Sequence, residues 1–162
     1  MALIKVQKTA LETFKNKLSR RLLMAKQENP PKARILLIED NDLFRRSHKF
    51  NLDKIAGGAD RVHAVIDATT ATAIWGLNGG YEAVIVNGSL EGDCGLRLVE
   101  NLSRYHGKPS RVYVISSKSH TLEEARKMGF HAFGKTKLND FYKDLEEYFG
   151  IKKPPLPHQR NI

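Results

Sequence analysis

The chain has 162 residues, of which 41% are hydrophobic and 28% are charged, so it is long enough for one ordinary globular domain with a buried core. No apolar run approaches the roughly 20 residues needed to cross a bilayer, and the single cysteine, Cys94, excludes an internal disulfide framework. These features predict a protein of a reducing compartment, the cytoplasm. The net charge of +9 lies outside the middle of the chain, because residues 1–34 carry +7 and residues 151–162 carry +3.

The first predicted element is a basic amphipathic helix over residues 3–24. Apolar residues recur at three-, four- and seven-residue steps from Leu3 to Leu22, Lys and Arg fill the other face, and Pro30-Pro31 breaks the pattern. Residues 1–33 are therefore predicted to be a helical extension and linker. Such a segment could bind a protein, a nucleic acid or a membrane surface, and the sequence leaves these alternatives open.

From residue 34 onward, short apolar runs alternate with segments of helical period. The runs predict five strands, at residues 34–38, 62–66, 83–86, 112–115 and 131–133. Five helices are predicted after them, at 42–54, 68–77, 96–105, from a capping box at Thr121 and Glu124 to Gly129, and at 138–149. This alternation predicts an α/β fold, a doubly wound five-stranded parallel sheet of the flavodoxin-like type over residues 34–150. Residues 151–162 are predicted to be a basic, proline-rich tail.

Polar residues follow the predicted strands at the edge where parallel strands end. Glu39 and Asp40 follow the first strand, Asn87 the third, Ser116 the fourth and Lys135 the fifth. In doubly wound sheets the functional site lies beyond the carboxyl ends of the strands, so these residues are the candidate site. Local alternatives exist, because carboxylates also cap helices and Asn87-Gly88 is also a common turn sequence.

Four segments in chain order resemble the receiver domain of bacterial response regulators, and they read ILLIEDND, YEAVIVNGSLEGDCGLRLVENL, VYVISS and GFHAFGK. The resemblance covers about residues 34–150. It implies that Glu39 and Asp40 correspond to the acids that bind Mg²⁺. It also implies that Ser116 and Lys135 correspond to the hydroxyl and the lysine that neutralise a phosphoryl group. Phe133 would then be the switch aromatic.

The sequence departs from the receiver pattern at its most reactive position. Asn87 stands where receivers have the aspartate that accepts the phosphoryl group, and an amide is a neutral, poor nucleophile. Lys135 falls one residue before the usual lysine, and Glu91 stands where proline is common. We therefore expect a degenerate phosphoacceptor site with no catalytic residues and no required cofactor. Any Mg²⁺ bound by Glu39 and Asp40 should bind weakly. Because glycine follows Asn87, deamidation to aspartate is a further, less favoured hypothesis.

The sequence thus predicts a non-enzymatic pseudo-receiver, a protein–protein interaction module related to two-component signalling and phosphorelay proteins. The resemblance places its partner surface on the fourth helix, fifth strand and fifth helix, where the aromatic residues are Phe133, Phe141, Tyr142 and Tyr148. Helix 3–24 is a second candidate contact. Two other functions stay open: nucleic-acid binding through the basic N-terminal helix, and a residual receiver that responds to Mg²⁺.

Overall fold

A computed structural model describes residues 34–151, and its centre is a five-stranded parallel sheet with strand order β2-β1-β3-β6-β7. The seven strands, in chain order, are β1 (Ile35–Ile38), β2 (Val62–Val65), β3 (Ala83–Asn87), β4 (Ser89–Leu90), β5 (Asp93–Cys94), β6 (Arg111–Ser116) and β7 (His131–Gly134). The predicted sheet and its parallel arrangement are confirmed, and the strand ends differ from the prediction by one residue.

Five α-helices alternate with the strands of the large sheet, as predicted: α1 (Asp42–Ala56), α2 (Ala68–Asn78), α3 (Gly95–His106), α4 (Ser119–Lys127) and α5 (Leu138–Tyr148), which follows the last strand; a short 3-10 helix lies at Ala59–Arg61. The first two begin at side-chain caps, because Asn41 accepts from the Phe44 N–H and Asp67 from the Thr70 N–H. The helix after β1 is therefore capped by Asn41, and not by Glu39 or Asp40.

Both faces of the sheet are buried, which explains why the strands are apolar without alternation. One core contains β-strand residues such as Leu37 and Ile85 together with Leu52 of α1 and Leu145 of α5. The other core lies under α2, α3 and α4 and includes the fully buried Trp75. Each fully buried aliphatic side chain contributes about 1.5–3 kcal/mol, so the two layers fix the strands that carry the site.

The predicted partner surface is wrong at Phe141, which is a core residue. Its side chain is 0% exposed, and its ring packs against Tyr113 at 5.4 Å and Phe133 at 5.9 Å between centroids. The helical spacing that suggested a contact face is the spacing of a core-facing stripe. Phe133, Tyr142 and Tyr148 are half-buried.

Two local features differ from the sequence prediction. The predicted capping box is wrong, because α4 begins at Ser119 and Thr121 lies buried inside it. The turn before α4 is instead formed by the Ser116 hydroxyl, which accepts from the Lys118 N–H at 3.1 Å. The antiparallel hairpin β4–β5 was not predicted, since strands of two residues carry no periodic pattern.

The predicted N-terminal helix and nearly all of the predicted tail lie outside the described residues, 34–151. Those two predictions therefore stay predictions. Within the described part of the chain, no helix combines the length and apolarity needed to cross a bilayer.

Candidate functional site

The predicted site residues converge at the carboxyl edge of the sheet. Glu39 and Asp40 follow β1, and Asn87 ends β3, the neighbouring strand. Ser116 ends β6, and Lys135 follows β7, with its N–H donating to the Ser116 carbonyl at 3.2 Å. Glu39, Asn87 and Ser116 are buried, and Asp40 and Lys135 are partly exposed. The site is thus a small polar cluster at the carboxyl edge of the sheet, and it is open to solvent at Asp40 and Lys135.

The side-chain amide of Asn87 joins the two acids. Its Nδ2 donates to Glu39 Oε1 at 3.1 Å and to Asp40 Oδ1 at 2.9 Å, and its Oδ1 accepts from the Ser89 N–H at 3.3 Å. The orientation of the amide follows from these partners, because ionised carboxylates only accept hydrogen bonds and a backbone N–H only donates. Asn87 therefore uses both amide protons to bridge two carboxylates.

The acids are also held by backbone groups. The Asn41 N–H donates to Glu39 Oε1 at 3.1 Å, and the Glu91 N–H, at the tip of hairpin β4–β5, donates to Asp40 Oδ2 at 2.8 Å. Burial, followed by the contact with Asp40, raises the pKa of Glu39, against the opposing effects of the Asn41 N–H and Lys135. Partial burial acts to raise the pKa of Asp40, but its interaction with Glu39 and the hydrogen bonds that it accepts from Asn87 and the Glu91 N–H lower it overall.

Lys135 is a distant member of the cluster. Its ammonium nitrogen lies 4.0 Å from Glu39 Oε2 and 4.8 Å from the centroid of the Phe44 ring. An ion pair at this distance, combined with a cation–π contact, holds the charge of Lys135 beside Glu39. Lys135 therefore balances one acid of the site even though it falls one residue early in the sequence.

Sequence reasoning missed the residues that fix the backbone of Asn87. A Cβ atom on Gly95, the first residue of α3, would lie 2.2 Å from the Asn87 carbonyl oxygen. A Cβ atom on Gly88 would lie 2.6 Å from Thr121 Cγ2 and 3.0 Å from Ser116 Cβ. The first glycine in the Gly92-Asp93-Cys94-Gly95 stretch sits at the hairpin turn, and only the second is required for close packing.

The arrangement does not fit the Mg²⁺ ion that the receiver resemblance implies. Three of the four carboxylate oxygens of Glu39 and Asp40 already accept hydrogen bonds, and the amide of Asn87 lies between them. Among residues 34–151, no group of three or more His, Cys, Asp or Glu side chains is placed to hold a metal ion. A hard divalent cation prefers charged oxygen ligands, and the amide N–H groups that face these acids cannot act as ligands.

The geometry also disfavours deamidation of Asn87 in the folded protein. The reaction requires attack on the side-chain amide by the backbone nitrogen of Gly88. That nitrogen donates to the Ile115 carbonyl at 2.9 Å, as part of the contact between β3 and β6. Asn87 should therefore keep its amide.

Comparisons with known proteins show that this fold occurs in solved structures. No family model matches the chain, and a search of curated proteins finds no significant match. A receiver domain of Clostridium thermocellum matches with a TM-score of 0.58 and 18% identity, over 74% of this chain and 98% of its own. One from Methylobacillus flagellatus gives 0.57 and 23%, over 71% and 99%. A response regulator of Thermotoga maritima, solved with Mg²⁺ and BeF, gives 0.56 and 19%, over 70% and 98%. The described domain has the receiver fold.

In the receiver fold of this chain, Phe133 lies on β7 beside the cluster. Its ring is stacked on Tyr113 with centroids 6.3 Å apart and an interplanar angle of 27°. It is half-buried and packs on the core under α1 and α5. Its role as the switch aromatic stays a prediction, and its contacts describe a packed ring.

A buried histidine of α1 contacts a tyrosine of α5. His48 is 3% exposed, and its Nδ1 lies 2.6 Å from the Tyr142 hydroxyl. Burial, and to a lesser extent the charge of Lys135, lowers the pKa of His48 from its usual 6.5. The unfolded chain therefore binds a proton at a higher pH than the folded protein does. The stability contributed by neutral His48 is present above pH 6.5 and is lost as the pH falls below it.

We expect His48→Gln to flatten this pH dependence. Urea unfolding of the unmodified protein should show a free energy of unfolding that declines as the pH falls below about 6.5, and the variant should show a shallower decline. His120→Gln, which changes an exposed histidine of α4, is the matched control and should keep the original slope. Equal slopes for all three proteins would contradict the prediction.

Proposed function

We propose that this domain is a pseudo-receiver, a signalling module that acts through protein partners and does not use phosphorylation. The observation that carries the proposal is the amide of Asn87, which donates to Glu39 and Asp40 where a receiver would present a third carboxylate. The lone pair of the Asn87 amide nitrogen is delocalised into the carbonyl group, and both amide protons are donated in hydrogen bonds to the two acids. Asn87 therefore cannot form the acyl phosphate that switches a receiver.

Phosphoryl transfer tests this proposal directly. The full chain, incubated with acetyl phosphate and Mg²⁺, should show no phosphoryl adduct by intact mass and no change in oligomeric state by size-exclusion chromatography. Asn87→Asp, which restores the acceptor carboxylate, is the matched control and should gain an acid-stable, base-labile adduct. An adduct on the unmodified chain would overturn the proposal.

Calorimetric titration with Mg²⁺ should show weak or no binding, and tight binding would favour the Mg²⁺-responsive function instead.

The partner surface is proposed on α4, β7 and α5, after removal of Phe141 from it. The exposed part of this surface is mainly charged and includes Glu123 and Lys143. The most exposed large apolar side chains near the site lie elsewhere, on α1, where Leu43 is 77% and Phe50 is 62% exposed. A pull-down should therefore compare Glu123→Lys/Lys143→Glu, which keeps the net charge, with Leu43→Ser/Phe50→Ser. We expect the first pair to reduce capture of a specific partner and the second to leave it unchanged.

A further inference from the structure

The cavities at the two edges of the sheet differ in the charge of the residues that line them. At the carboxyl edge, a cavity of about 400 Å³ beside Asp40 is lined by four acids and, among the described residues, by no Lys or Arg; the acids are Asp40, Asp67, Glu91 and Asp93. At the amino edge, where the strands begin, two adjoining cavities of about 630 and 500 Å³ share Lys108 and Ser110. The cavity beside Asp40 is therefore acidic, although Lys118, Lys135 and Lys137 also lie at the carboxyl edge.

The two adjoining cavities form one basic groove, which we call the amino-edge groove. Its lining contains five Lys or Arg side chains, which are Arg34, Arg61, Arg104, Lys108 and Arg111. Among residues 34–151, the acids that line it are Glu82 and Glu100, so the net charge of this lining is +3 with both lining histidines, His106 and His131, neutral. Because a concave, low-dielectric surface concentrates the field of such charges, the groove should attract anions.

Part of this charge has a structural use. Arg34 forms a two-point hydrogen bond with Glu82, with both N···O distances 2.9 Å, and Arg111 pairs with Asp144 at 2.9 Å. Arg104 pairs with Glu100 at 3.5 Å. Arg61 and Lys108, in contrast, form no ion pair within 4.0 Å of a described residue, although the charge of Arg61 helps to lower the pKa of Glu82. Lys and Arg often balance the partial negative charge of helix C-termini. That explanation covers Arg61, the last residue of the short 3-10 helix, but not Lys108, which lies beyond the end of α3.

The described chain also enters and leaves at this edge. The guanidinium carbon of Arg34, just before β1, lies 4.4 Å from the centroid of the Phe149 ring, just after α5. The residues that precede Arg34 in the sequence include eight Lys or Arg and two acids, and those that follow Ile151 include three Lys or Arg and no acid. The covalent connections to these strongly basic segments are therefore at the basic edge of the domain.

We infer that the amino-edge groove binds a single strand of nucleic acid through its phosphate backbone. Single-strand sites combine a basic groove that follows the backbone with exposed aromatic side chains that stack on bases. Tyr105, at the end of α3, is 76% exposed and lines a neighbouring cavity between α2 and α3, which shares His106 with the groove. Arg61 and Lys108 are the cations available to phosphates, and Tyr105 is the stacking platform. This activity is independent of the Asn87 site, which lies at the opposite edge.

The experiment is a fluorescence anisotropy titration of the full chain with a labelled oligouridine of about twenty nucleotides, longer than the roughly 4–16 that such sites cover. Arg61→Glu/Lys108→Glu should weaken binding at least tenfold at about 50 mM salt. It should also reduce the slope of log affinity against log salt by about 1.4, since a single strand releases about 0.7 counterion per neutralised phosphate. Tyr105→Ala should weaken binding without changing the slope.

The control is Lys118→Glu/Lys137→Glu, which makes the same change in net charge at two exposed positions of the carboxyl edge. It should bind like the unmodified chain. Equal weakening by both double variants would mean that net charge and not the groove decides binding, and no weakening by either would place binding elsewhere; both results would overturn the inference. Binding to phosphatidylserine vesicles without binding to the oligouridine would overturn it in favour of a membrane surface. Arg61→Gln/Lys108→Gln repeats the test should the charge reversal impair folding.

Discussion

Phe141→Ala should lower the free energy of unfolding by about 3–5 kcal/mol, the cost of removing a large aromatic side chain from a packed core. The ring is fully buried and contacts Tyr113 and Phe133 from α5, so its removal opens a cavity between the helix and the sheet. The loss is a large share of the roughly 5–15 kcal/mol by which domains of this kind are stable. Urea unfolding followed by circular dichroism measures it.

Tyr148→Ala on the same helix is the matched control. Tyr148 is half-buried and contacts Phe149 and the guanidinium of Arg111, so its removal should cost about 1 kcal/mol. If the aromatic residues of α5 formed a partner surface, Phe141→Ala would instead leave stability unchanged and reduce binding. A melting profile identical to that of the unmodified protein would therefore restore Phe141 to the surface.

Asn87→Asp should lower the free energy of unfolding by about 2–4 kcal/mol at neutral pH in the absence of Mg²⁺. The substitution removes two donated hydrogen bonds and adds a third carboxylate beside Glu39 and Asp40. The pKa of Glu39 is already raised above its usual 4.5 by burial and by Asp40, and a third acid should raise it further. A raised carboxyl pKa favours folding at low pH, and this advantage is lost as the pH rises. The deficit of the variant should thus grow as the pH increases above about 4.5.

Magnesium separates the charge effect from simple loss of packing. Three carboxylates offer a cation the ligands that the unmodified site lacks, so Mg²⁺ at ten times its dissociation constant should restore about 1.4 kcal/mol to Asn87→Asp. Asn87→Ala, which removes the hydrogen bonds without adding charge, should lose about 1–3 kcal/mol and gain nothing from Mg²⁺. Equal responses of the two variants to Mg²⁺ would contradict the bridging role of the amide.

The sequence was most informative where burial is complete. The strands around Leu37 and Ile85 are apolar on both faces, so their parallel arrangement could be predicted from continuous apolar runs that alternate with helical segments. Periodic apolar positions gave the wrong prediction at Phe141, because a helix face that packs on the core and one that binds a partner have the same pattern in a single sequence. Thr121 misled for a related reason, since a capping motif cannot reveal that its threonine packs on Gly88.

The composition of the site was predictable and its contacts were not. Glu39, Asp40 and Asn87 could be placed together because each follows or ends a strand at the same edge. The bond from the Glu91 N–H to Asp40 depends on a two-residue turn between strands too short to show a pattern. The contact of Gly95 with the Asn87 carbonyl depends on where α3 begins. Loop geometry of this kind is set by tertiary packing.

The bridge made by Asn87 has a consequence for how such a protein is controlled. An ion diffuses away and a phosphate is hydrolysed, but a side chain stays at full occupancy for as long as the chain is folded. Under the proposed function, a domain held in this way would keep no chemical memory of a stimulus, and its output would follow its copy number and the abundance of its ligands. Expression level and turnover are therefore where we expect the cell to adjust it.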